Sequence, residues 1–309
     1  MKPPLVLSLL TCALLPLIAA CANPSHASEA DSLRERLAEL PGVASADLDY
    51  TEPITLDSGK LALTVALEPE AEASAVVEVV ATTYAAFAGT HHAEEGDLDI
   101  TWRDDVVHLR SFEPEADLDD VRAAAQRAVP VLERESARVD LETQDVDAAP
   151  HVRTLMTVTT APGVDALLAA LPGLEKRYGD LPQTDWTVQA DPEGSWTLHS
   201  SGGLPGADQL TLFHRLRAGL PQGASIWLGD DDWASVALPA GTSPDATAAV
   251  AERHLGILGG PGTASYDVQV GDELALSIID GECSFGTGPI GARLDGVYAD
   301  GCRTVAPSS

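Results

Sequence analysis

Basic residues are scarce in this chain. Among 309 residues, 18 are Lys or Arg and 48 are Asp or Glu, a formal net charge of -30. Only three lysines occur, Lys2, Lys60 and Lys176, and no basic run is present. Binding along a nucleic-acid backbone relies on clustered cations, so the balance argues against a nucleic-acid partner. A long basic amphipathic helix is also missing, which removes a helix lying on a membrane surface. Gly-rich phosphate loops next to continuous apolar strands are absent, and with them the doubly wound nucleotide fold. No Gly-x-Ser-x-Gly elbow occurs, so the chain lacks the sequence mark of one large hydrolase class. Aromatic residues make up only 5% of the chain, yet 45% is hydrophobic and 21% charged. That composition belongs to a globular protein.

Cysteine is sparse too, and each of the four has a distinct setting. Lys2 precedes a mostly apolar stretch from Leu5 to Ala20. The stretch is short for a spanning helix, which takes roughly 20 apolar residues, and fits an export signal. It ends Ile18-Ala19-Ala20-Cys21. An aliphatic residue, small residues and then Cys resemble the lipobox of bacterial lipoproteins. The resemblance covers residues 1–21 and implies cleavage before Cys21, a thioether-linked diacylglycerol on its sulfur and an acyl chain, such as palmitate, on the new terminus. Ile18 departs mildly from the usual Leu, and Lys2 makes a thin basic region. Ordinary secretion is the competing reading, because Ala20-Cys21-Ala22 and Ser25-His26-Ala27 also offer small residues to a general signal peptidase. The expected organisation is a signal over 1–20 and a tether over 21–30. The expected place is the extracytoplasmic side of the cell membrane, with the lipid on Cys21 as the membrane contact. Cys12 would leave with the signal. Cys283 and Cys302 remain, nineteen residues apart. In an oxidising compartment such a pair reads as a disulfide, worth about 3 kcal/mol for that loop length in the chain-entropy model.

Periodicity organises the rest. Apolar stripes at helical spacing start near residues 31, 73, 117, 163, 207 and 244. Ser243-Pro244-Asp245 is an N-cap followed by Pro at the first helical position. Pro130 is expected to end or bend its helix, and Pro172 to limit the helix that starts behind Pro162. Two-residue alternation between the stripes marks strands, as in Leu61, Leu63, Val65 and Leu67. Gly271-Asp272 signals a tight hairpin. The recurring order is helix, strand, strand, at intervals that suggest repetition. Parsed as β-α-β-β-α-β over 59–143 and again over 151–228, it resembles the ferredoxin-like superfold and, more faintly, BON-type envelope modules. The expected fold class is therefore α+β, with roughly three tandem ferredoxin-like units over 31–145, 146–230 and 231–309. The third unit is two elements short, and the helix and strand at 31–50 would complete it by closing a ring. The resemblance implies no activity, because the architecture hosts unrelated functions.

Candidate chemistry is thin. His91-His92 with Glu94, Glu95 and Asp97 is the densest ligand-like cluster. It reads either as a divalent-metal site or as a solvated loop. Asp230-Asp231-Asp232 reads as Ca²⁺ ligands or as a charged hairpin tip. The metal candidates are thus His91, His92, Asp230 and Asp232. His199 beside Ser200 and Ser201 invites a hydrolase reading, but strand neighbours face opposite ways. His108, near Asp104 and Asp105, stands isolated in sequence. Trp102, Trp186, Trp196, Trp227 and Trp233 lie in or beside hairpins, as cross-strand packing or as a sugar- or peptide-binding face. No cofactor is called for. The expected function is a non-catalytic, lipid-anchored envelope protein that binds another envelope component, such as a protein partner, or a small ligand. The alternatives are an exported hydrolase and a divalent-cation binder.

Overall fold

Helix, strand, strand is the order in which the chain folds. The computed structural model describes residues 25–54, 57–112, 116–143, 152–191, 195–230, 233–262 and 265–302. Residues 1–20, Cys21, Asp231 and Asp232 lie outside the described residues. Among those described are thirteen strands and seven α-helices, a mixed α+β content. The described residues form two compact units, one running up to residue 134 and resuming from 138 to 154, the other holding 135–137 and the described residues from 155 on.

The first unit begins with helix α1 (Ala27–Ala38) and strands β1 (Val43–Thr51) and β2 (Lys60–Leu67). Helix α2 (Ser74–Phe87), the hairpin β3 (Glu95–Trp102) and β4 (Asp105–Ser111), helix α3 (Leu118–Leu132) and β5 (Ser136–Glu142) follow. The alternation in β2 buries Leu61, Leu63, Val65 and Leu67 and leaves Thr64 exposed. Beside it, β3 buries Leu98, Ile100 and Trp102. The helices take the buried side: α1 touches α2, and α2 packs along α3. Val76, Val80, Tyr84 and Phe87 of α2 are all buried in that layer. Gly96 in β3 is set by this packing, since a Cβ there would lie 2.7 Å from the Phe87 ring. Between β3 and β4, Arg103 takes a left-handed φ of 58°. Its guanidinium lies over the Trp102 ring at 4.3 Å, and its Nε donates to the Pro69 carbonyl at 3.2 Å.

Strand pairing departs from the ferredoxin-like expectation. A split β-α-β leaves room for another strand between its two parallel strands. Here β2 and β3 are direct parallel neighbours across α2, β3 and β4 form an antiparallel hairpin, and β4 pairs parallel with β5 across α3. The element order is as expected, and the strands simply lie in chain order. The N-terminal segment also goes elsewhere than expected. Strand β1 pairs antiparallel with β2, placing Leu48 opposite Leu63, and α1 packs on β1 and α2. Leu33 and Leu37 are buried there, so helix and strand complete the first unit and not a third one.

The second unit repeats the scheme. It holds most of β6 (Arg153–Thr160), then α4 (Val164–Tyr178), β7 (Thr184–Ala190), β8 (Trp196–Ser200), α5 (Ala207–Arg217), β9 (Ser225–Leu228) and β10 (Ala234–Leu238). Helix α6 (Pro244–Leu258), β11 (Tyr266–Val270), β12 (Glu273–Ile279), β13 (Glu282–Phe285) and α7 (Pro289–Tyr298) finish it. Strands β7 to β13 again lie in chain order. Pro172 does not stop α4, because Leu167, Leu171, Leu174 and Tyr178 bury one stripe through it. That packing outweighs the hydrogen bond a proline removes. Pro130 likewise sits inside the last turn of α3. The Ser243 hydroxyl caps α6 by accepting from the Ala246 amide at 3.3 Å. Gly271, at φ 57°, turns the β11–β12 hairpin. Cys283 and Cys302 form a disulfide with Cα atoms 5.6 Å apart, tying β13 to the turn after α7.

Candidate functional site

One face of the first unit's sheet carries the helices. On the other, strand periodicity sets out polar side chains in rows. The register places Asp47, Thr64, Asp99, His108 and Asp140 opposite one another across β1 to β5. A second row holds Asp49, Ala62, Asp97, Arg110 and Glu142. His108 sits at the centre of this acidic face. Its Nε2 donates to Asp97, with Asp99 Oδ1 at 4.0 Å, and its Nδ1 lies 3.4 Å from Asp140 Oδ1. Lys60 Nζ bridges Asp97 at 3.2 Å and Glu95 at 3.4 Å. Arg138 grips Asp140 through Nη2 at 2.8 Å and stands 3.3 Å from His108 Nδ1, so the two cations share that carboxylate.

The electrostatics follow from the contacts. Hydrogen bonds to Asp140 and Asp97 outweigh burial and raise the His108 pKa to about 9. The His108 hydrogen bond chiefly lowers Asp97 to about 2. Burial pushes Asp140 up, but His108 and Arg138 bring it below the usual carboxylate range. At neutral pH His108 is an imidazolium with both nitrogens engaged. A general base needs a pKa near the working pH and a free nitrogen. His108 is instead the counter-ion that lets several carboxylates share one face.

A second cluster forms where β1 meets the turn after α2. The His91 amide donates to Ala86 O at 3.1 Å and the Glu94 amide to His91 O at 2.9 Å, which folds residues 91–94 back on themselves. His91 Nδ1 then meets Glu94 Oε2 at 2.7 Å, with the two residues only 2% and 4% exposed. The Tyr50 hydroxyl donates to Glu94 Oε1 at 2.9 Å and accepts the His26 amide at 2.9 Å. The His26 and His91 rings meet edge to face at 5.7 Å. His92 turns away and bonds the Gly89 carbonyl at 3.0 Å. Glu95 and Asp97 point to Lys60 on the open face. The sequence pair His91-His92 is therefore not a chelate, because adjacent side chains diverge. Among the described residues no group of three or more His, Cys, Asp or Glu is arranged to hold a metal.

In the second unit His199 lies on β8 and stacks on Trp227 at 6.0 Å. Its Nδ1 meets the Thr187 hydroxyl at 3.1 Å, and its Nε2 lies 3.5 Å from Asp230 Oδ2. Asp230 accepts the Ser201 amide at 2.9 Å and the Ser201 hydroxyl, so Asp230 secures the loop after β8. Ser201 thus bonds the carboxylate and not the imidazole, unlike a nucleophile activated by its base. His254 of α6 is buried at 0% exposure. Its Nε2 donates to Leu216 O at 2.7 Å, and its Nδ1 accepts the Tyr266 hydroxyl at 2.8 Å. Burial is the chief cause that lowers its pKa to about 4. Trp186 stacks on Tyr178 at 5.9 Å inside the core, which makes this hairpin tryptophan a packing residue.

Comparisons with protein-family models, with curated proteins and with solved structures find no match to this chain. No helix among the described residues is long and apolar enough to cross a membrane. Sequence reasoning missed Tyr50 and His26 as partners of the His91 turn. It also missed Asp97 and Asp140 as partners of His108. Alternation across the β3–β4 hairpin was the available signal for Asp97.

Proposed function

We propose that this chain is a lipid-anchored cell-envelope protein of non-catalytic type, held by Cys21 on the extracytoplasmic side of the membrane. It binds another envelope component or a small ligand through its α+β units. The anchor rests on Ile18-Ala19-Ala20-Cys21. One observation carries the non-catalytic reading: His108, central to the most charged face, is held as a doubly engaged imidazolium. A tandem of helix-strand-strand modules supports a binding role, since such repeats build extended surfaces from side chains on one face. Replacing Cys21→Ala tests the anchor. Labelling with a palmitate analogue and fractionating the cells should show the label lost and the protein released. A variant that stays in the membrane fraction overturns the assignment.

A hydrolase is the second reading, and one observation favours it. Thr187, His199 and Asp230 stand in the order hydroxyl, imidazole, carboxylate. Against it, Thr187 lies on a strand and not on the sharp turn that exposes a nucleophile. Covalent labelling by a β-lactone probe, abolished in Thr187→Val, would turn the assignment towards acyl transfer.

A further inference from the structure

Strand β1 is an open edge. From Ser45 to Thr51 it pairs residue for residue with Ala66 to Lys60 of β2, and its only register shift lies before Ser45. Among the described residues no strand pairs with its other side. In an antiparallel edge strand every second residue turns its N–H and C=O outward. Among the described residues no hydrogen bond reaches those outward groups between Ser45 and Thr51. Edge strands are usually short or covered. In the second unit β13 follows that rule, with four residues packed against α7. The regular run of β1 is seven residues long.

The two faces of β1 define what a further strand would carry. On the helix side Ala46, Leu48 and Tyr50 stand opposite Val65, Leu63 and Leu61. These β2 partners are at most 2% exposed, whereas the three β1 residues are only half-buried. Apolar side chains on a neighbouring strand would complete their cover. On the open side Asp47 and Asp49 are exposed, with no partner among the described residues. The cations of that face are engaged further along: Lys60 with Glu95 and Asp97, His108 with Asp97 and Asp140, and Arg138 with Asp140. Negative charge is therefore left uncompensated at the free edge. A second copy of β1 would set like charges side by side, which disfavours self-pairing. The terminal segments outside the described residues hold one Lys or Arg each, Lys2 and Arg303, so neither offers a basic strand.

We propose that β1 binds an extended segment of another protein by strand addition. Lys or Arg at alternate positions of that segment face Asp47 and Asp49, and apolar residues between them face Ala46, Leu48 and Tyr50. Main-chain bonds supply the affinity and the alternation supplies the specificity. This rests on the reading of the chain as a binder of an envelope component, and it names the chemistry of that partner.

The test is calorimetric titration of the full chain in non-ionic detergent with the capped peptide Lys-Val-Lys-Leu-Lys-Val-Lys. A chain of net charge -30 attracts any cation, so the controls vary the backbone as well as the charge. One control carries Glu for Lys. Two others are N-methylated, at every Lys or at every apolar residue. The parent peptide should bind saturably, and the Glu peptide should not bind. A strand offers one alternate set of amides to its neighbour, so one methylated peptide should bind roughly tenfold more weakly and the other nearly as well as the parent. The double variant Asp47→Asn with Asp49→Asn should weaken the parent peptide roughly fivefold. Both side chains are exposed, so the variant keeps its fold. Bound peptide should slow amide exchange at alternate residues between Ser45 and Thr51. No binding at about 1 mM overturns the proposal. Equal binding by the two methylated peptides, or protection that falls outside β1, overturns it as well. Palmitate labelling at Cys21 reads the anchor separately, so a failed edge on a labelled chain leaves the envelope assignment standing.

Discussion

His108 in the first unit and His254 in the second both have two partnered ring nitrogens and little exposure. Their partners differ in charge, and that difference decides everything else about them. His108 faces Asp97 and Asp140 and is held charged, with a pKa near 9. His254 faces a backbone carbonyl and a phenol and is held neutral, with a pKa near 4. In His254 desolvation has no counter-charge to oppose it, and the neighbouring Arg253 guanidinium adds to it. In His108 the surrounding carboxylates outweigh desolvation. The same side chain thus serves as a charge balancer on a polar sheet face and as a hydrogen-bond connector inside a core.

The comparison is broken most severely at His254. His254→Leu keeps the volume but leaves the Leu216 carbonyl and the Tyr266 hydroxyl buried without a partner. Each orphan costs about 1–3 kcal/mol, so a loss of about 4 kcal/mol is expected in urea unfolding. Amide exchange should speed up in α6 and β11 and stay unchanged in β3 and β4. Uniform acceleration through both units would contradict the connector role.

His108→Gln comes next, at about 2 kcal/mol, because part of the acidic face can still reach water. The informative variant is the double one. Asp97→Asn added to His108→Gln removes one of the carboxylates left unbalanced, so the double variant should regain stability over His108→Gln alone. Losses that simply add would mean that His108 acts by packing and not by charge.

Helices and strands were legible because one-sided burial imprints a period on the sequence. The stripe Val76, Val80, Tyr84, Phe87 and the alternation Leu61 to Leu67 each name their structure. The Ser243-Pro244 cap and the Gly271-Asp272 turn are local chemistry, and both stand where expected. Pairing was not legible. The order β-α-β-β-α-β fits both split and consecutive sheets, and nothing within β2 says whether β3 lies beside it. For the same reason the segment at 31–50 was assigned to the wrong neighbour. Pro172 misled because local propensity is weak against four buried side chains on one stripe. The partner of Glu94 beyond its own turn is Tyr50, 44 residues away, which only the pairing of β1 with β2 brings near. His108 read as isolated because its carboxylates come from adjacent strands, and charge spread over strands is invisible until the register is known.

The gentlest way to sharpen the comparison is pH, where the two histidines pull in opposite directions. His254 has its pKa lowered on folding, so its contribution is complete above about 6.5. It is lost as pH falls from there through 4, because the unfolded chain binds the proton first. His108 has its pKa raised, so its contribution is complete below about 6.5 and is lost as pH rises through 9. Each arm should change stability by about 1–2 kcal/mol once solvent screening at the open face and relaxation in the core are allowed for. Amide exchange measured from pH 4 to 9, corrected for intrinsic rates, reads both units in one sample. The second unit should loosen on the acid side, and the first on the alkaline side. His108→Gln should flatten the alkaline arm while leaving the acid arm of the second unit in place. If the alkaline arm survives in that variant, the proton lost near pH 9 belongs to another group, and the carboxylates around His108 are held by Lys60 and Arg138 alone.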